Sequence, residues 1–430
     1  MQCKVTTPLS ARVVTRFAVT ASIPVCCTFI SCGRTTTPSV KPVENDSAPL
    51  RPVRVLAARS VEGVRLLVRR GAVVADEADS TLLRFSSDET VIAGVSSTGQ
   101  IALGKRVWGV DSVTLIPGDG VPVSLSVQHG NGWSKPIRYP GRLQFVVAAS
   151  GKLNVINHVD VEQYVACVVA NEVWPTFAAE AYRAQAVIVR TYVLYQILRR
   201  RGAAWDIAST QGAQVYRGIC DDKVGQQAAA AAEYTRGVVC TWNDQGKNSL
   251  FSTYYSSVCG GKSQSAAIYG NGDAVPPLAG GVKCDYCQIA PKGTYRWGPV
   301  SLRLEEVRRR LVARYPNLVS LGAIKSIDVL RSGSGGSRGR PVELRLTDSD
   351  GRTHGILAER FRLAIGADTM RSTDCDIRVA GTQLILEHGR GYGHGLGLCQ
   401  WGMQGQALAG KLAGEILRYY YPTSSLTRVY

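Results

Sequence analysis

From residue 53 to 157 the apolar positions come in short, β-branched bursts: "VRVLAAR", "GVRLLVRRG", "STLLRFSS", "GQIALG", "SVTLIPG" and "PVSLSVQHG". Gly, Asp or Ser cuts each burst after a few residues, which is the length and punctuation of strands. "GRLQFVVAASGKLNVIN" reads as a hairpin turning at Ser150–Gly151. The period changes at His158. In "HVDVEQYVACVVANEV", Val161, Tyr164, Val165 and Val168 fall at helical spacing behind Asp160, an N-cap residue type. "PTFAAEAYRAQAVIVRTYVLYQILRRRG" follows; it is Ala-rich, apolar on most sides and ends in basic residues before Gly202 as C-cap. A helix apolar nearly all round is a central, buried one.

The remaining pattern alternates. "GQQAAAAAEYTRG", "LRLEEVRRRLVARYP", "RTHGILAERFRLAIG" and "GEILRYYYP" predict helices. "GVVCTW", "LFSTYYSS", "IKSIDVLRSG", "RPVELRLTDSDG" and "QLILEHG" predict strands. No strict βαβ order and no internal repeat emerges. The expected class is therefore α+β: mixed strands and helices around a central buried helix, with an N-terminal β-rich lobe.

Composition changes this picture in three ways. Fifty Lys and Arg against 33 Asp and Glu give a net charge of +17, which favours a polyanionic partner unless it is only a solvated basic surface. The first 32 residues hold a basic start (Lys4, Arg12, Arg16), an apolar run from Phe17 to Cys32 and a polar tail, the layout of a secretory leader. "FISC", ending at Cys32, is similar to a bacterial lipobox, so a lipid or signal anchor in the membrane is one expectation and simple export another. Residues 33–52 are Pro-rich and read as a flexible linker. An exported protein is not expected to bind nucleic acid. Of twelve cysteines, eight follow the leader; in an oxidising compartment they are disulfides, metal ligands or buried thiols.

Four places hold candidate chemistry. Glu172 lies among Val168, Val169, Val173, Trp174, Pro175 and Phe177, where one helix ends and a Pro turn leads to the next. A carboxyl group walled in this way titrates high and can act as a general acid, unless it simply reaches solvent at the helix end. Arg190 sits mid-helix in "AQAVIVRTYVLY" and needs a carboxylate or an anionic ligand; helix–turn–helix geometry would allow Glu172 to be that partner. Gln185 on the same helix is a substrate contact or a structural hydrogen bond. Cys259, Cys284 and Cys287 form a C-x24-C-x2-C set, three zinc ligands in search of a fourth or else a disulfide plus a thiol. "GRGYGHGLGLCQWG" lacks the Lys-Ser/Thr of a phosphate loop. Its His394, Tyr392, Gln400 and Trp401 suit a carbohydrate, with the glycines letting backbone approach the ligand, unless the segment is only a glycine-rich turn packed under the core.

Three blocks together resemble a known family. "NVINHVDVEQYVACVVANEVWPTFAAEAYRAQAVIVRTYVLYQI", "FSTYYSSVCGGKSQSA" and "GRGYGHGLGLCQWGMQGQALAGKLAGEILRYYYP" match, in order and spacing, the SpoIID family of stage II sporulation protein D and amidase enhancers. The match runs over roughly residues 140–425, which the resemblance makes a catalytic domain behind the β-rich lobe at 53–139, the linker at 33–52 and the leader at 1–32. It implies a lytic transglycosylase acting on peptidoglycan glycan strands, preferably stripped of stem peptides, in the cell envelope. The catalytic glutamate then falls on Glu172, an important arginine on Arg190 and a site tyrosine on Tyr255. Gln185, His394 and Gln400 become substrate contacts and a cell-wall amidase a possible partner. No cofactor is required for this chemistry, and any zinc is structural. The family's His-Ser-Thr-Cys has Ser256 in the His position here, so a family zinc site lacks that ligand.

Overall fold

A computed structural model describes residues 51–430, apart from 211, 270–272, 334 and 337–338, together with the backbone of Lys41 and Pro42. The leader at 1–32 and nearly all of the linker at 33–52 lie outside the described residues. No helix among the described residues is long and apolar enough to cross a membrane.

The class is α+β, as the pattern predicts. Two large sheets build the N-terminal part. In one, Gly63–Val68 lies between Val123–His129 and Glu89–Val95. Its alternation is simple: Val64, Leu66 and Val68 face the core while Arg65 and Leu67 face out. In the other, Val53–Val61, Leu153–Val159, Arg142–Val147 and Ser112–Ile116 lie side by side. The expected hairpin is there, Arg142–Val147 against Leu153–Val159, with Gly151 at φ +70° in the turn.

This second sheet crosses the expected boundary at 139/140. Strands from both sides of it alternate, and Ile207–Ala208 adds in parallel beside Val53–Val61. One hydrophobic core accordingly runs from Val53 to Tyr421. The β-rich lobe is thus a wall of the same body. A separate core instead occupies the region from Trp297 to Leu386, around helices Leu304–Arg314 and Ala358–Ile365.

Helix α1 (Val161–Glu172) starts at Asp160, whose Oδ1 accepts the N–H groups of Glu162 and Gln163. Helix α2 (Ala179–Arg199) is the central one: every residue from Ala184 to Leu194 is buried. It ends at Arg199, three residues before Gly202, which takes φ +82° in the following turn. "RTHGILAERFRLAIG" corrects the expectation of one helix. Thr353–Leu357 pairs as a strand with Glu343–Thr347, and the helix begins only at Ala358. Gly355 weakens helix there, and Ile356 and Leu357 fit the pleat, so sheet pairing wins.

Candidate active site

Glu172 is the last residue of α1. Val173 turns to extended backbone, φ −104° and ψ 155°, and Pro175 bars any continuation of the helix. The side chain is half-buried. One carboxylate oxygen accepts the N–H of Val215 at 2.8 Å. Burial raises the Glu172 pKa above the ordinary carboxylate range, against the opposing pull of the Val215 N–H, the Tyr255 hydroxyl and the Arg217 charge. Tyr255 stands beside the carboxyl group, its hydroxyl buried and without a well-aligned hydrogen bond. Burial and the adjoining Glu172 push that phenol far up, so it stays neutral. Tyr164 is close enough to feel the Glu172 charge and donates its hydroxyl to Gln214 at 2.8 Å. The result is one acid held towards its protonated form among neutral phenols.

The turn after Glu172 is clamped from the far end of the chain. The helix Gln400–Leu408 sends Gln400 Nε2 to the carbonyl of Glu172 at 3.1 Å. One turn later Gln404 accepts the Ala178 N–H at 2.8 Å. Trp401 packs between them, 5.1 Å from the Phe177 ring and 6.0 Å from the Trp174 ring. Gln400, expected to face substrate, is buried and holds the end of α1 in place. Its polarity matters, but for an orphan helix-end carbonyl.

His394 is half-buried and also engages backbone. Its Nδ1 accepts the Leu396 N–H at 3.0 Å, and the ring also meets the Tyr255 backbone. Burial pushes its pKa down to about 4, so it is neutral at physiological pH. The glycines serve the same seam. A Cβ on Gly397 would sit 2.0 Å from the Tyr254 carbonyl, and one on Gly395 2.7 Å from the Arg340 guanidinium. The glycine run therefore comes close to its own neighbours, Tyr254–Cys259, where Tyr255 and Ser256 pair in parallel with Leu398 and Cys399. At these positions the close approach is to the chain itself, as expected of a glycine-rich turn packed under the core.

Arg190 has a different carboxylate from the one expected. It is 0% exposed. Nε and Nη2 form a fork onto Glu162 at 2.8 and 2.5 Å. The other hydrogens go to Thr235 Oγ1, Val238 O and Ala232 O. All five donors are used, so none remains for Glu172 or a glycan. Gln185 is also 0% exposed, and neither end of its amide has a hydrogen-bond partner among the described residues. It lies inside α2 packing, out of a ligand's reach.

Cys259, Cys284 and Cys287 do converge, and the fourth member of their cluster is Cys399. The four sulfurs lie within 4.8 Å of one another and all four residues are buried. None of the eight described cysteines is in a disulfide. Cys399 arrives from the end of the glycine run, paired at Ser256. Tyr420 Oη lies 3.0 Å from Cys284 Sγ. Arg340, 0% exposed, donates Nη2 to the Cys259 carbonyl at 2.7 Å, and its Nε has no partner among the described residues.

The model of the family described as stage II sporulation protein matches residues 149–242. An uncharacterised protein of Brachyspira hyodysenteriae is 31% identical over 289 residues, covering 66% of this chain and 71% of the relative. Stage II sporulation protein D of Bacillus subtilis is 26% identical over 288 residues, covering 63% and 76%. The chain belongs to the SpoIID family. The amidase enhancer of Bacillus subtilis is 26% identical over 295 residues, but the chain spans only 40% of its length. The SpoIID match includes Glu172, Gln185, Arg190 and the Val215 segment, whereas Tyr255, the glycine run and the four cysteines lie beyond it.

Proposed function

We propose that this SpoIID protein is a peptidoglycan lytic transglycosylase of the cell envelope, with Glu172 as acid and then base. The observation that supports it best is a single half-buried carboxyl group with a raised pKa, fixed by the Val215 N–H and set beside a neutral phenol. Glycoside hydrolysis by the two-carboxylate route needs a second acid with room for water. An intramolecular ring closure needs one. Protonated Glu172 gives its proton to the oxygen linking C1 of N-acetylmuramic acid to the next N-acetylglucosamine, and the C1–O bond breaks. The carboxylate then takes the proton of the muramic C6 hydroxyl as that oxygen bonds C1. The product carries a 1,6-anhydro ring, no water is consumed and Glu172 ends protonated. Trp174, 52% exposed and steadied by Trp401, offers an aromatic face for a sugar next to the acid.

The test is mass spectrometry of products from peptide-free glycan strands. Products ending in 1,6-anhydromuramic acid are expected; reducing ends alone, or none, reject the reading. The relative named amidase enhancer motivates a second reading, a wall-binding module that stimulates an amidase without chemistry of its own. There, the Glu172→Gln variant keeps full stimulation of the amidase.

We also infer that the four cysteines hold a structural zinc ion. Tetrahedral zinc with Zn–S bonds of about 2.3 Å spaces its sulfurs roughly 3.8 Å apart, and Cys259 and Cys287 lie 3.9 Å apart. A zinc bound to four thiolates carries two net negative charges, which would offset the buried Arg340 guanidinium beside Cys259. Zinc would tie the Cys259 loop, the Cys284–Cys287 turn and the glycine run together; it has no part in the bond cleavage. Elemental analysis is expected to find about one zinc per chain in the wild type and little in Cys284→Ser. A metal-free wild type purified under reducing conditions rejects the site.

A further inference from the structure

Arg217 lies in an extended stretch between α2 and helix α3 (Lys223–Tyr234). Its alternation is clear. Gln214, Tyr216 and Gly218 face inwards, and Tyr216 stacks 5.3 Å from Tyr164 and donates its hydroxyl to Asn157. Val215 is half-buried and Arg217 is exposed, on the other side. The same stretch delivers the Val215 N–H to the Glu172 carboxyl group, so Arg217 emerges two residues from that hydrogen bond, and its charge is felt at Glu172.

Several other arginines of the same body are occupied. Arg138 pairs with Asp221, Arg51 and Arg54 with Asp206, and Arg183 with Glu180. Arg217 has no hydrogen bond or ion pair among the described residues. A free guanidinium whose charge reaches the acid opposes the rise of that acid's pKa, a cost that a substrate contact would explain. The anionic group nearest the scissile bond of a peptide-free strand is the lactyl carboxylate on the muramic residue. A guanidinium fork fits a carboxylate with two parallel hydrogen bonds.

We propose that Arg217 binds this lactyl carboxylate and so selects glycan from which the stem peptide has been removed. The role rests on the glycan-cleaving reading of Glu172 and takes over the anion contact that buried Arg190 cannot make. Binding of the full chain is measured in the non-cleaving Glu172→Gln background, on peptide-free strands and on the same strands with their lactyl groups converted to amides. Peptide-free strands are expected to bind roughly tenfold tighter than amidated ones. Adding Arg217→Gln is expected to bring both to the amidated level, with an unchanged melting temperature because the side chain is exposed. Arg217→Lys is expected to restore part of the difference, since it keeps charge but not the fork. A tightness ratio that Arg217→Gln leaves unchanged overturns the proposal, and so does equal binding of both strands by the background protein. Discrimination without anhydro products from the wild type instead counts against the transglycosylase reading alone.

Discussion

Glu172→Gln is expected to lower turnover of peptide-free strands by roughly 10²–10⁴-fold, the usual contribution of one positioned acid–base group. The amide keeps the shape of the side chain and can still accept the Val215 N–H, but it has no proton to give. Strand binding should therefore change little while turnover collapses. A variant with more than a tenth of wild-type turnover would remove Glu172 from the chemistry. On the proposed mechanism the first step needs the protonated acid, so kcat/KM should fall as pH rises through the elevated Glu172 pKa. The stability effect has its own sign. The folded-state pKa lies above the ordinary value, so ionising Glu172 costs stability at neutral and higher pH. Below the ordinary carboxylate range both folded and unfolded states are protonated and the cost disappears. The Gln variant should thus melt at or above the wild-type temperature at neutral pH, with the gain vanishing in acid; calorimetry across that range checks it.

Most of the architecture could be read from residue periodicity. The Asp160 cap, the buried α2 and the Ser150–Gly151 hairpin follow from short-range rules that the structure obeys. The 139/140 boundary does not stand because strand order is non-local: Arg142–Val147 pairs outwards to Ser112–Ile116, and no local pattern announces that. At the site, Glu172 was visible because its apolar neighbours are contiguous in sequence. Cys399, the Val215 N–H and Glu162 reach their partners from 112, 43 and 28 residues away. Glu162 at the first turn of α1 looks like an ordinary dipole-favouring acid. Gln400 and His394 were visible as polar residues in a glycine-rich run, but sequence does not say whether a polar side chain faces a ligand or a backbone carbonyl. Here the backbone claims both.

Arg190→Met is expected to cost about 3–5 kcal/mol of folding stability, the range for breaking a buried ion pair from one side. The loss falls on Glu162, which would remain in the core with Tyr430 Oη at 2.6 Å and the Gly237 N–H at 3.2 Å as its remaining donors. Burial by itself raises the Glu162 pKa. The Arg190 bonds and charge, with Tyr430 and Gly237, more than reverse this and hold it below the ordinary value. A depressed carboxylate contributes stability above its unfolded pKa, and that contribution is lost as pH falls through the folded pKa. The gap between wild type and Arg190→Met should accordingly be widest near neutral pH and close in acid. Arg190→Lys should restore little, because one ammonium cannot make five directed bonds to Glu162, Thr235, Val238 and Ala232. Adding Glu162→Leu to Arg190→Met should recover much of the loss, since no buried charge is then left alone. A direct glycan contact at Arg190 makes the opposite forecast: wild-type melting temperature with weakened strand binding. Denaturant melts of the three variants beside strand-binding measurements below their melting temperatures separate the two, and a Met variant as stable as wild type would refute the structural role.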